Sequence, residues 1–149
     1  MSDQSTQETA KMEFTVRDWM NNLIIYIDPH KTVTEALSLM RRRYISSLIV
    51  NKVSPEADYG ILTSTDISDK IIAQNRNPSK LTVRDIMTSP LLTVNENSDV
   101  RECAVLMKKH QIHHIPVVND QKELVGMISA SDFLVVAEAM GRDPGERIV

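Results

Sequence analysis

The order of apolar and polar positions divides most of the chain into two similar halves. From Phe14 it runs through a short turn, Thr15-Val16-Arg17-Asp18-Trp19-Met20, into an apolar run, Leu23–Ile27, read as a strand. Val33, Ala36, Leu37 and Met40 then fall at i, i+3, i+4 and i+7, the spacing of an amphipathic helix with one buried stripe. Thr32 stands three residues before Glu35, the capping-box arrangement, and Arg41-Arg42-Arg43 closes the helix where its dipole favours cations. A hairpin follows, Ser47–Asn51 with Tyr59–Thr63, and a closing helix is expected from about Thr65 to Gln74.

The second half reads the same way. Thr82–Met87 is the opening turn and Leu91–Val94 the first strand. Val100, Cys103, Ala104 and Met107 mark the helix stripe, with Asp99 as its capping oxygen and Lys108-Lys109-His110 at its end. Ile115–Val118 and Leu124–Ser129 form the hairpin, and a helix is expected from Ser131 to Met140. Aligning Thr15–Val50 with Thr82–Val117 gives 11 identities in 36 positions, and after a hairpin one residue shorter Gly60 meets Gly126. Self-similarity on this scale means two copies of one supersecondary unit. The expected organisation is a polar tail at 1–13, read as mobile, a first β-α-β-β-α repeat at 14–74, a linker at 75–80, a second repeat at 81–140, and a tail at 141–149. Three strands with helices on one face leave the other face bare, so the two sheets are expected to pack together in an α/β (α+β) fold with pseudo-two-fold symmetry.

Composition narrows the function. With 149 residues, 42% hydrophobic and a net charge of −3, the chain suits one compact body and does not attract polyanions, so nucleic-acid binding is disfavoured. No apolar run is long enough for a membrane span, and a single cysteine, Cys103, cannot form an intrachain disulfide. These features fit a soluble cytoplasmic protein without membrane association. Only four glycines are present, which leaves no P-loop or dinucleotide fingerprint, and no catalytic Ser-His-Asp or Cys-His arrangement is legible. No enzyme activity is therefore expected. His110, His113 and His114 straddle a helix-to-strand change without helical spacing, so no metal site is assigned to them.

Candidate chemistry sits at two strand-to-helix corners. Gly60-Ile61-Leu62-Thr63-Ser64-Thr65-Asp66 and Gly126-Met127-Ile128-Ser129-Ala130-Ser131-Asp132 each end a strand with a hydroxyl and a carboxylate at a helix start. Such residues cap and charge helices, and the same corners open onto clefts at strand C-termini, where α/β sheets bind ligands.

These motifs, with Val83-Arg84-Asp85-Ile86-Met87 and His113-His114-Ile115-Pro116-Val117-Val118, resemble the tandem CBS-domain module over residues 14–140. The resemblance implies clefts between the two units that bind an adenosine-type ligand such as AMP, ADP, ATP or S-adenosylmethionine, with no obligatory cofactor. It also implies a homodimer. Carried over, Asp132 holds the ribose hydroxyls, Ser129 approaches the phosphate, and the backbone of Ile115, Pro116 and Val117 reads the adenine beside His114, with Ser131 a further ligand-binding candidate. In the first copy the same roles fall to Asp66, Thr63 and the strand Leu48–Val50, with Thr65 a further ligand-binding candidate. Independently of the resemblance, Arg17 and Arg84 of the two opening turns are candidates for phosphate contact, and their repetition is equally explained by a salt bridge within the turn. Thr65 and Ser131 occupy places where many family members carry a basic residue. The expected function is a regulatory nucleotide sensor acting on an unidentified effector protein or through dimerisation. The alternative is an interaction scaffold with vestigial clefts. Trp19, Met20, Phe133 and Leu134 are the candidate dimer surface.

Overall fold

A computed structural model describes residues 14–142, so the segment 1–13 and residues 143–149 of the expected C-terminal tail lie outside the described residues. Each half builds a three-stranded sheet. The first holds β1 (Tyr26–Ile27), β2 (Ser47–Val50) and β3 (Gly60–Thr63) in that order; the second holds β4 (Val94–Asn95), β5 (His114–Val118) and β6 (Leu124–Ser129). The first two strands of each sheet run parallel, and the hairpins are antiparallel, with Ile49 opposite Ile61 and Pro116 opposite Met127. Parallel neighbours need a crossover connection, supplied by α2 (Val33–Arg43) in the first unit and α5 (Val100–His110) in the second. The remaining helices are α1 (Val16–Trp19), α3 (Ser64–Ile67), α4 (Val83–Ile86) and α6 (Asp132–Met140).

The caps follow the sequence with one shift. Thr32 Oγ1 accepts from Glu35 N at 3.1 Å, as the capping pattern requires. The Asp99 carboxylate accepts from Arg101 N at 2.9 Å, one residue earlier than the Glu102 spacing implied. Both helices end on a left-handed residue, Tyr44 and Gln111, each with φ 54°. The buried stripes are Val33, Ala36 and Met40, and Val100, Cys103 and Met107, while Ala104 is exposed and Leu106 packs inward instead.

Strand periodicity divides the interior. Leu48, Val50 and Leu62 face their own helices. The alternate residues Ile49 and Ile61 meet Met127 of the other sheet, with Ile24, Tyr59, Leu91 and Leu124 around them. The sheets therefore pack face to face, as the bare face of each repeat demands.

The opening turns change sides. Val16 of α1 is buried in the core of the second unit, and Val83 and Ile86 of α4 in that of the first. Asn21 exchanges backbone hydrogen bonds with Met127, and Thr88 with Ile61, each at 2.9 Å. Packing thus crosses the boundary between the sequence repeats. It also explains the recurring glycine and methionine. A Cβ on Gly126 would lie 2.6 Å from Met20 Sδ, and one on Gly60 would lie 2.5 Å from Met87 Sδ. Each glycine makes room for the methionine of the other repeat's opening turn.

The closing helices differ. α6 is a regular helix of nine residues, whereas α3 passes into a π-helical turn, Ser68–Ile72, closed by Ala73 N donating to Ser68 O at 2.9 Å. Such turns inside helices recur at functional sites.

Candidate functional site

Two cavities open where the units meet, each combining a corner aspartate of one unit with the central-strand region of the other. The Asp132 cavity, about 200 Å³, is lined by Ser129, Ser131 and Asp132 from the second unit and by Ser46, Ser47 and Ile49 from the first. The segment after α1, Asn21 to Ile25, and Tyr44 complete it. The Asp66 cavity, about 450 Å³, is lined by Thr63, Thr65 and Asp66 and, from the second unit, by His113, His114 and Pro116. The segment Thr88 to Leu92, with His110 and Ile112, closes it.

This grouping differs from the one expected within each repeat. Asp132 does not share its cavity with Ile115–Val117, nor Asp66 with Leu48–Val50. Face-to-face packing turns each corner toward the opposite sheet. Ile115 and Val117 point into the second unit's own core with no exposed surface, and only Pro116, between them, reaches the Asp66 cavity. Arg84 lies exposed on α4, its backbone N donating to Pro29 O at 2.9 Å, and lines neither cavity.

His114 is the common wall of both cavities. Its Nε2 sits 2.9 Å from Ser46 Oγ across the junction of the units. Burial pushes its pKa below the ordinary histidine value and the neighbouring His113 adds to this, while Asp132 acts in the opposite sense.

The two aspartates are not equivalent. Asp132 Oδ2 accepts from Ser129 N at 2.8 Å and Ser129 Oγ at 3.1 Å, which fixes the corner. Among the described residues no group hydrogen-bonds Asp132 Oδ1. Asp66 is only 5% exposed. Its Oδ2 accepts from Thr63 N at 2.9 Å, and its Oδ1 accepts from Lys70 Nζ and from Thr88 Oγ1, both at 2.9 Å. Lys70 Nζ donates further to Ile86 O at 2.8 Å. In the second repeat the places of Lys70 and Thr88 hold Val136, which is buried, and Asn21, whose side chain accepts from Leu23 N instead.

Sequence reasoning missed Lys70, Thr88, Ser46 and Tyr44. The i, i+4 spacing of Asp66 and Lys70 was the one available signal; the others depend on the exchange of opening turns and on the packing of the units. Among the described residues no arginine or lysine lines either cavity. No cluster of three metal-ligating side chains exists among the described residues. Cys103 is buried on α5, and desolvation pushes its thiol up to about 11, so it is an inert core residue. No helix among the described residues is long and apolar enough to cross a membrane.

Comparison with known proteins agrees with this architecture. A profile of the CBS domain matches residues 16–73 and 83–139. The CBS domain-containing protein YhcV of Bacillus subtilis is 32% identical over 121 residues, which are 81% of this chain and 84% of that protein. The protein MK0525 of Methanopyrus kandleri is 34% identical over 113 residues, 76% of this chain, and the match spans 57% of that protein's length. Among solved structures, a hexameric CBS-CP12 protein from bloom-forming cyanobacteria superposes with a TM-score of 0.78 at 30% identity, covering 91% of this chain and 76% of that one. The CBS domain pair of protein MJ0100, solved with 5′-methylthioadenosine and S-adenosyl-L-methionine, gives a TM-score of 0.73 at 28% identity, covering 86% and 98%. The chain belongs to the CBS-domain family and carries two copies of the domain, packed sheet to sheet.

Proposed function

We propose that this protein is a regulatory module that binds an adenosyl ligand of low negative charge in the Asp132 cleft. The observation that carries the reading is Asp132, which lines a cavity at the junction of the two units and whose Oδ1 has no hydrogen-bond partner among the described residues. A carboxylate oxygen free to accept from a ribose diol forms charge-assisted hydrogen bonds, roughly twice as strong as neutral ones. Ser46, Ser47 and Asn21 offer further polar contacts, and Ile24, Ile25 and Ile49 an apolar floor for a base. Tyr44, 96% exposed, adds an aromatic ring to the lining.

The charge of the ligand follows from the lining. With an aspartate present and no arginine or lysine among the described lining residues, a di- or triphosphate would meet repulsion and no counter-charge from them. The similarity to a CBS pair crystallised with 5′-methylthioadenosine and S-adenosyl-L-methionine, ligands without phosphate, supports this ranking. AMP is the intermediate case.

CBS-domain pairs are commonly regulatory, and the role proposed here is to shift an equilibrium in a partner or in an assembly, not to catalyse. A ligand does this only through its differential affinity for two states. The assembly is a homodimer through α6, whose Leu134, Val135 and Met140 are 75%, 57% and 60% exposed. Trp19, Met20 and Phe133 pack against the second core instead and contribute less to that surface. The setting is cytoplasmic.

A thermal-shift panel with 5′-methylthioadenosine, S-adenosylmethionine, AMP and ATP tests the reading. At about 100-fold excess over Kd, a bound ligand adds roughly 2.7 kcal/mol, a rise of about 5–10 °C in Tm. The largest response is expected from 5′-methylthioadenosine or S-adenosylmethionine and the smallest from ATP. A flat response to all four at millimolar concentration supports the scaffold alternative.

A further inference from the structure

The cleft with more room has its acceptor already filled. The Asp66 cavity measures about 450 Å³ against about 200 Å³ at Asp132, and only the larger lies in the range of roughly 300–1,000 Å³ usual for small-molecule sites. Yet the oxygen of Asp66 that corresponds to the free one of Asp132 receives Lys70 Nζ and Thr88 Oγ1. Lys70 does not line the cavity. It reaches Asp66 from behind and is tied to the end of α4 through Ile86 O. The contact brings the π-helical turn of the first repeat onto the opening turn of the second.

We infer that Lys70 is an internal occupant of the Asp66 carboxylate, which closes this cleft to ribose diols and makes the protein bind one adenosyl ligand per chain instead of two. The inference rests on the diol reading of the corner aspartates. It extends that reading by naming a residue that sets stoichiometry. The chemistry is a competition for one oxygen. An ammonium group 2.9 Å from a buried carboxylate holds it more firmly than a neutral hydroxyl does. In the second repeat Val136 has no charge to offer, and the equivalent oxygen has no hydrogen-bond partner among the described residues.

The test is calorimetric titration of the full chain with 5′-methylthioadenosine, comparing wild type, Lys70→Met, Lys70→Arg, Asp132→Ala and the double variant Lys70→Met/Asp132→Ala. Circular dichroism melts establish that each is folded. If Lys70→Met does not fold, Lys70→Gln replaces it, since its amide keeps a donor for Ile86 O without the charge. The expected stoichiometries are one per chain for wild type and Lys70→Arg, two for Lys70→Met, none for Asp132→Ala and one for the double variant. The gained site should bind at least about 10-fold more tightly than any residual binding of Asp132→Ala. A purely stabilising role for Lys70 would lower Tm without adding a site. One site in both wild type and Lys70→Met, lost with Asp132→Ala, overturns the inference and leaves the Asp132 reading standing; so do two sites in wild type. No binding by wild type with one site in Lys70→Met supports the role of Lys70 and overturns the Asp132 reading. No binding by any variant overturns both.

Discussion

His114 Nε2 and Ser46 Oγ lie 2.9 Å apart, and this contact joins the two clefts, because His114 lines both. Its two residues come from different repeats and meet only because the sheets pack face to face. Burial and His113 hold the imidazole below its usual pKa, and Asp132 opposes them. His110 and Asp66 are the other titratable groups around the larger cavity. A histidine with a lowered folded pKa takes up its proton more readily when unfolded. It therefore contributes stability above its unfolded value, about 6.5, that is lost as pH falls toward the folded value. Wild type should lose melting temperature more steeply than His114→Gln between about pH 7 and pH 5. Asp85 and Asp99, also lowered, act in a separate window below the ordinary carboxylate range. Parallel curves for the two proteins would remove this role from His114.

Gly126→Ala should destabilise by crowding the opening turn of the first repeat where it packs on the second unit. The new Cβ would lie 2.6 Å from Met20 Sδ and 2.9 Å from Asn21 O. The methionine is able to move, but the carbonyl belongs to a bridge that pins α1 to the second unit. Overpacking of this kind costs about 1–3 kcal/mol, or roughly 3–10 °C in Tm. Gly126→Ala/Met20→Ala should recover only part of that loss, because the carbonyl remains in place. Full recovery would show that the sulfur alone sets the glycine requirement.

Leu134→Glu should convert a dimer to a monomer. Leu134 is exposed in the chain by itself, so a charge there costs the fold little. At the centre of a dimer contact it should raise the dissociation constant by roughly 10-fold or more. Light scattering at tens of micromolar measures this. A wild-type protein that is monomeric with and without 5′-methylthioadenosine would contradict the dimer.

Much of the fold was legible because the signals are local. The stripe Val33, Ala36, Met40 and the alternation through Leu48, Ile49 and Val50 are set by helix and strand geometry alone. The duplication then told that two bare sheets must meet. What the sequence hid is long-range. Met20 sits 106 positions before Gly126 in the chain and packs against it, so the exchange of opening turns leaves no local trace. The grouping of site residues depended on that exchange and on which corner faces which sheet. Asp66 and Asp132 look alike as motif residues, and the difference between them lies in Lys70 and Thr88, one of which comes from the other repeat. The first strands, read as runs of five and four residues, form only two-residue pairings, because Ile24 and Leu91 leave the ladder to fill the space between the sheets.

The role proposed for Asp132 is to hold a ribose diol. Calorimetric titration of wild type and Asp132→Ala with adenosine and with 2′-deoxyadenosine separates that role from helix capping. Each ligand is uncharged, so the pair differs by one hydroxyl. Wild type should prefer adenosine by about 10-fold or more, the value of a hydrogen bond to a charged group. Asp132→Ala should bind both weakly and alike. The variant should melt somewhat below wild type, by the loss of the corner bond to Ser129 N, about 1 kcal/mol. If Asp132→Ala keeps the wild-type preference for adenosine, Asp132 only caps its helix, and the diol is held elsewhere or not at all.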